Sequence, residues 1–129
     1  MSKDGTATRL ARKLADLTKL DKLAWKEADF VYPGAAVDLS FETSVEDGTT
    51  VLIGETAVKR TSILSYVFWI HENAETVFEV FAEGIPAEPT EEQREMWRTL
   101  KDLYCAARDS ARGTKRKVER FEQLLQKLA

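Results

Sequence analysis

The chain has few of the residues on which enzyme active sites and metal sites most often depend. Its 129 residues include one histidine, His71, and one cysteine, Cys105. Metal sites need several ligands at set spacings, and the patterns Cys-x-x-Cys, His-x-x-x-His and Glu-x-x-His do not occur. We therefore expect no metal and no cofactor. A lone cysteine cannot form an intrachain disulfide, which is typical of a reducing compartment.

Phosphate loops and membrane spans are missing as well. The patterns Gly-x-Gly-x-x-Gly, Gly-Lys-Ser/Thr and Gly-x-Ser-x-Gly are absent, which argues against nucleotide phosphate loops and against hydrolase nucleophile elbows. No segment approaches the roughly 20 apolar residues that cross a bilayer, and the polar N-terminus lacks the apolar core of a signal peptide. We expect a cytoplasmic protein without membrane contact.

His71 and Cys105 are the two candidates for catalysis. His71 precedes Glu72 where a predicted strand meets its turn, and it is either half of a proton-transfer pair or an exposed turn residue. Cys105 lies on a predicted helix with Arg108 and Arg112 as basic neighbours, but no histidine is expected close enough to act as its base. We therefore predict that the protein is not an enzyme, and we assign no catalytic residue.

The residues that are plentiful are those of an ordered globular protein. Hydrophobic residues make up 43% of the chain and charged residues 32%, a balance that disordered chains do not have. The length suits a single domain spanning residues 1–129. The formal net charge of −3 makes nucleic acid a poor candidate for a partner, although it does not exclude a local basic patch.

The first half of the chain predicts one helix followed by strands. Leucines recur at i, i+4 and i+7 over Thr6–Leu17, which places them on one face of a helix. A turn near Asp21 and a short strand over Leu23–Lys26 are expected next. Val37, Leu39, Phe41, Thr43 and Val45 then alternate with polar residues, as in a strand with one buried and one solvated face.

A hairpin is predicted after this strand. Asp47-Gly48 is a pair favoured in tight turns, because both residues can take positive φ. Val51–Ile53 is the expected return strand, and we expect Gly54 to mark a β-bulge in it.

The centre of the predicted core is a second hairpin over Ile63–Phe81. Two runs rich in β-branched and aromatic residues flank a short polar break. The first run is apolar on both alternating sides and therefore needs cover on both faces. One side carries Tyr66 and Phe68, and the other carries Val67 and Trp69.

Two helices are predicted after the proline-containing linker Gly84–Pro89. Thr90 begins the first with a capping box completed by Gln93, and Gly113 ends it. We expect Thr114 to cap the second helix. The predicted buried stripes are Met96, Trp97, Leu100, Leu103, Tyr104, Ala107 and Ala111 in the first helix and Val118, Phe121, Leu125 and Leu128, with Leu124 beside them, in the second.

These elements predict an α+β fold with an N-terminal helix, a four- to five-stranded antiparallel meander sheet and two C-terminal helices. The helices are expected to cover one face of the sheet. If they also cover the other, the protein is a sandwiched monomer. If they do not, the second face is an apolar patch that most simply binds a second copy of the chain.

Two surfaces are candidates for binding a partner. The basic elbow is the group of cationic side chains around the predicted helix break, namely Arg108, Arg112, Lys115, Arg116, Lys117 and Arg120. Lys115, Arg116 and Lys117 lie in the first turn of the last predicted helix, where a cation opposes the helix dipole and costs about 0.3–1 kcal/mol. Such a local cost points to an anionic partner. The alternative is that the elbow is simply solvated. The sheet aromatics are Tyr66, Phe68, Trp69, Phe78 and Phe81.

We interpret the chain as a non-enzymatic regulatory module that binds a protein partner, with a homodimer through its sheet if the second face is uncovered. The alternative is a sensor that binds a small ligand in an aromatic cavity between sheet and helices, lined by Trp25, Trp69 and Trp97.

Four short patterns resemble a group of small bacterial proteins of unassigned function. They are Leu14-x-x-Leu17-Thr18, Leu23-x-Trp25, Tyr66-x-Phe68-x-Ile70-x-Glu72 and Leu100-x-x-Leu103-Tyr104-x-x-Ala107-Arg108. The resemblance implies the same order of helix, meander and C-terminal helix, and it implies no catalytic residues. The group favours acidic residues after the helix break, where this chain has Lys115-Arg116-Lys117.

Overall fold

The computed structural model describes residues 2–28, 39–57, 64–84 and 88–129. Within these ranges the chain forms three helices and five strands, and the predicted α+β fold is confirmed. The elements are α1 (Lys3–Lys19), β1 (Lys26–Glu27), β2 (Leu39–Glu46), β3 (Thr49–Ala57), β4 (Leu64–Glu72), β5 (Glu75–Ala82), α2 (Glu91–Arg112) and α3 (Thr114–Leu128). The predictions made for Val37, for Ile63 and for 85–87 of the linker fall outside the described residues.

The sheet is an antiparallel meander in which the strands lie in chain order, with β1 and β5 at its edges. One continuous row of paired residues crosses it, because Phe41 pairs with Ile53, Ile53 with Phe68 and Phe68 with Val80. The bulge predicted at Gly54 is wrong. Gly54 pairs in register with both neighbouring strands, so the ladder needs no extra residue there.

Two tight turns at one end of the sheet are tied together. The turn predicted at Asp47-Gly48 is confirmed, and Gly48 has a φ of 83°. Its carbonyl oxygen accepts a 2.7 Å hydrogen bond from the N–H of Asn73 in the β4–β5 turn. A Cβ on Gly48 would lie 2.5 Å from Asn73 Oδ1. Glycine is therefore favoured at this position by its backbone conformation, and a Cβ would in addition displace the Asn73 side chain.

The helices α1 and α2 cover one face of the sheet, which we call the first face. α2 contacts all five strands, and α1 lies beside α2 and reaches β5. The core between them joins α1 alanines, sheet residues and the α2 stripe, namely Ala7, Ala11, Ala15, Phe41, Val51, Ile53, Tyr66, Phe68, Val80, Met96, Leu100, Leu103 and Tyr104. Small residues on α1 let the two helices approach closely.

The opposite, second face of the sheet is buried at its centre. Leu52, Val67 and Trp69 form a separate cluster there, and Ala28 packs against it. The prediction that both sides of β4 are buried is thus confirmed. In the described part of the chain no helix covers this face. The fold is therefore not a sheet sandwiched between its own helices, and its second face is not a fully exposed apolar surface either.

Two boundaries near the N-terminus differ from the prediction. α1 begins earlier, at Lys3, because Ser2 Oγ accepts a hydrogen bond from the N–H of Gly5 and caps the helix. The strand predicted over Leu23–Lys26 is wrong except for its last residue. Trp25 is buried instead, with its indole N–H donating to Thr18 Oγ1 at 2.8 Å.

Candidate functional site

The junction between α2 and α3 is set by local sequence. The predicted capping box is present, since Thr90 Oγ1 accepts from the N–H of Gln93 and the Gln93 side chain accepts from the N–H of Thr90. Gly113 ends α2 in the left-handed conformation, with a φ of 63°. The prediction that Thr114 caps α3 is wrong, because Gly113 is itself the N-cap and Thr114 is the first helical residue.

The apolar stripe of α3 is exposed, and the prediction that it is buried is wrong. Phe121 is 60% exposed, Leu125 is 50% exposed and Leu128 is 84% exposed, and no residue of α3 is buried. The cause lies upstream. α2 already spans the five strands and α1 fills the space beside it, so the first face is covered before the chain reaches Gly113.

One flank of the α3 stripe is basic. Lys117, Arg120 and Lys127 lie on the same side of the helix, because residues three and seven apart share a face. Residues 114–129 contain five basic and two acidic side chains, a net charge of +3, whereas the chain as a whole carries −3. α3 is therefore a basic amphipathic helix whose apolar face is open to solvent.

The basic elbow is partly neutralised by the chain itself. Lys115 Nζ donates a 2.8 Å hydrogen bond to Asp21, and this bond, with the charge of the carboxylate, raises the pKa of Lys115 above its usual value. Arg108 lies 3.7 Å from Asp109 and over the ring of Tyr104. These contacts argue against a dedicated anion site at this end of the elbow.

The remaining elbow cations are more available. Arg112, Arg116, Lys117 and Arg120 are exposed and form no ion pair with another described residue. Arg112, Arg116 and Lys117 line one groove at the α2–α3 junction, whereas Arg120 lies further along α3. Arg120 therefore suits the flank of a protein interface rather than a site at the junction.

An open groove of about 970 Å³ lies between the exit of α1 and the α2–α3 junction. It is lined by side chains of both charges, among them Asp21, Asp102, Asp109, Arg112 and Lys115, and by Cys105. Opposite charges at short range neutralise each other, so the groove has no preference for one sign of ligand. No histidine lines it.

His71 and Cys105 lie on opposite sides of the sheet. His71 is a β4 residue that pairs with Thr50, two positions from Trp69, and is half-buried in the strand. Cys105 is half-buried in α2, against the core of the first face. Among the described residues no group of three or more histidine, cysteine or acidic side chains is arranged to hold a metal ion.

Most of the sheet aromatics are inside the protein. Tyr66 and Phe68 are buried under α2, Trp69 is buried in the second-face cluster, and Phe78 is half-buried against Phe68. A partner therefore cannot contact Tyr66, Phe68 or Trp69 in this fold. Phe81 is 46% exposed and is the member of the set that a partner can reach.

The buried tyrosines have a structural role. The hydroxyl of Tyr66 donates a 3.0 Å hydrogen bond to Glu55, and burial together with this bond raises its pKa well above 10. Burial likewise raises the pKa of Tyr104 to about 12. Both hydroxyls are therefore neutral at physiological pH and are poor proton donors and acceptors for catalysis.

The tryptophans do not line one cavity. Trp25 belongs to the first-face core and Trp97 packs against it, with its indole N–H donating to the carbonyl of Leu64 at 2.9 Å, whereas Trp69 is on the second face. Trp97 borders a surface pocket of about 300 Å³ at the start of α2. The arrangement on which the sensor hypothesis depended is thus absent.

No protein family model, curated protein sequence or solved structure matches the chain. The resemblance to small bacterial proteins stays a prediction. No helix in the described ranges is long and apolar enough to cross a membrane.

One exposed surface lies on β5 and includes Phe81 of the sheet aromatics. Val77 is 55% exposed and lies near Phe81 on the edge strand. Glutamates are interspersed with these two residues, and Glu79 sits between them in the sequence. The period-two spacing of Val77, Glu79 and Phe81 in the predicted strand is the sequence signal for this surface.

Proposed function

We propose that the protein is a cytoplasmic, non-enzymatic module that binds another protein chain through α3. The exposure of the α3 stripe supports this proposal. α1, α2 and α3 are all amphipathic. α2 buries most of its apolar stripe, and α1 buries its alanines although Leu17 is 38% exposed, whereas α3 buries no residue. The lone cysteine and the separation of His71 from Cys105 support the non-enzymatic and cytoplasmic parts of the proposal.

An isolated helix such as α3 is only marginally stable on its own. Helices shorter than about 12–15 residues are marginal in water, and most helix stability comes from packing an apolar face. α3 has 15 residues, and its five large apolar side chains Val118, Phe121, Leu124, Leu125 and Leu128 are exposed. Burying such a stripe against a partner supplies the missing packing energy, which is how amphipathic helices bind grooves.

The chemistry of the partner follows from the flank of the stripe. Lys117, Arg120 and Lys127 border the apolar residues on one side. A complementary surface has an apolar floor for Phe121 and Leu125 and acidic side chains along one rim.

Photo-cross-linking in cells tests the proposal. A photoreactive amino acid at Leu124, on the stripe, is expected to give a covalent protein adduct. The matched control carries the same amino acid at the exposed Gln126, which is two residues from Leu124 and therefore on the other side of the same helix. Equal labelling at Leu124 and Gln126, or no adduct at Leu124, would contradict α3 as the binding element.

A further inference from the structure

The outer side of β5 combines apolar and acidic side chains, which are the two features that a surface complementary to α3 needs. Glu79 pairs with Trp69 and Phe81 with Val67, which places Glu79 and Phe81 on the second face of the sheet. Val77 is the additional residue where the β4–β5 register shifts, and it is exposed. Because Val67 and Trp69 are buried apolar residues, Phe81 extends their cluster to the sheet edge.

The two surfaces carry opposite charges. Residues 72–83 include no lysine or arginine, and of their four glutamates the half-buried Glu79 lies on the second face, whereas Glu72 and Glu75 pair with each other on the first face. Residues 114–129 carry a net charge of +3. An apolar strand with acidic neighbours and an apolar helix with a basic flank are complementary in both respects.

We propose that α3 of one chain docks on the outer side of β5 of a second copy, and that two chains exchange their C-terminal helices in a symmetric dimer. This inference rests on the proposed function and names its partner. An exchange of this kind gives two identical contacts related by a two-fold axis and leaves no surface open for further growth.

The position of α3 favours a second copy over the chain's own strand. α2 begins shortly after β5 and ends near β1, where Ser110 Oγ accepts a hydrogen bond from the N–H of Trp25. α3 therefore starts at the β1 edge, about 19 Å across the sheet from β5. It also starts in the helix layer of the first face, whereas Phe81 faces the other way.

The sizes of the two surfaces match. α3 is about 22 Å long, because it has 15 residues, and β5 is about 26 Å long, because it has eight. The seven exposed apolar side chains on the two elements offer roughly 100 Å² each. If all of this surface were covered, two such contacts would bury on the order of 1,400 Å² of apolar surface, an upper bound that lies within the range of about 1,200–2,000 Å² for stable interfaces.

Charge exchange tests the proposal in sedimentation equilibrium from about 1 to about 200 μM protein at low salt. The helix variant carries Lys117→Glu, Arg120→Glu and Lys127→Glu, and the strand variant carries Glu79→Lys and Glu83→Lys. Each variant alone is expected to dimerise at least about tenfold more weakly than the wild type. An equimolar mixture of the two is expected to recover the dimer, because both contacts then pair opposite charges.

Two control variants show whether a loss of dimer comes from the loss of this contact or from a folding defect. A charge-reversed variant on exposed positions elsewhere, Lys13→Glu with Lys22→Glu and Lys101→Glu, is expected to dimerise like the wild type. Phe81→Gln, checked by circular dichroism, tests the strand again if Glu79→Lys with Glu83→Lys does not fold.

Three results would overturn the proposal. They are a monomer of 14.6 kDa at every concentration, a mixture that recovers no dimer, and a dimer that is lost in Phe121→Gln but unchanged in the strand variants. The last result would leave α3 as a binding element and remove β5 as its partner. An adduct at Leu124 whose mass is not twice that of the chain would do the same.

Discussion

Leu103 and Leu125 allow the same substitution to be made in two helices with opposite surroundings. Leu103 in α2 is fully buried, and Leu125 in α3 is 50% exposed. Leu→Ala changes helix propensity little and equally at both positions, so any difference in the free energy of unfolding comes from packing. Removing a buried leucine side chain costs about 2–5 kcal/mol, whereas exposed substitutions stay within about 0.5 kcal/mol.

Urea denaturation at low micromolar concentration measures both variants. With an m-value of about 2 kcal/mol per M, Leu103→Ala is expected to lower the midpoint by about 1–2.5 M and Leu125→Ala by about 0.25 M or less. As protein concentration rises, the wild-type midpoint is expected to increase, because association stabilises the folded state. The midpoint of Leu125→Ala is expected to rise less. Equal losses for the two variants in dilute solution would refute the exposed α3 stripe.

Three further predictions concern the rest of the fold. The pKa of Tyr104 is about 12 in the folded state and about 10 in the unfolded chain, so the unfolded chain loses this proton first and stability falls from pH 10 to pH 12. In urea titrations Tyr104→Phe should flatten that fall by up to about 1.4 kcal/mol per pH unit. An unchanged slope would count against burial of the hydroxyl. Thr18→Val leaves the buried indole N–H of Trp25 without its acceptor and should cost about 1–3 kcal/mol in the same assay, whereas a neutral result would mean that this hydrogen bond contributes nothing. Gly48→Ala should lower the melting temperature by several degrees, since its φ is 83° and about 1–3 kcal/mol of strain is expected; a wild-type melting temperature would show that the turn relaxes.

The sequence was most informative where structure depends on neighbours along the chain. The capping box at Thr90, the end of α2 at Gly113 and the turn at Gly48 were all predicted from a few adjacent residues, and the structure confirms them. The two-sided burial of β4 followed from its period-two pattern. Each of these features is decided by local conformational preference or by the alternation of side chains in a strand.

The candidate site was less predictable, because it depends on which surfaces remain after the helices have packed. An amphipathic stripe indicates that a helix needs cover, but not which helix covers the sheet first, so the exposure of Phe121 could not be read from its spacing. The partial neutralisation of the basic elbow depends on Asp21, which is 94 residues from Lys115 in the sequence. The burial of Trp69 and the exposure of Phe81 likewise depend on the strand order.

Amide hydrogen exchange at two protein concentrations tests most directly whether α3 docks on β5 of a second copy. In dilute solution the amides of α3 are expected to exchange fast, because the apolar stripe of the helix is exposed. In concentrated solution protection is expected to rise together in α3 and in the segment around Val77 and Phe81, and to remain low in Phe121→Gln. Exchange rates in α3 that are the same at both concentrations would contradict the account.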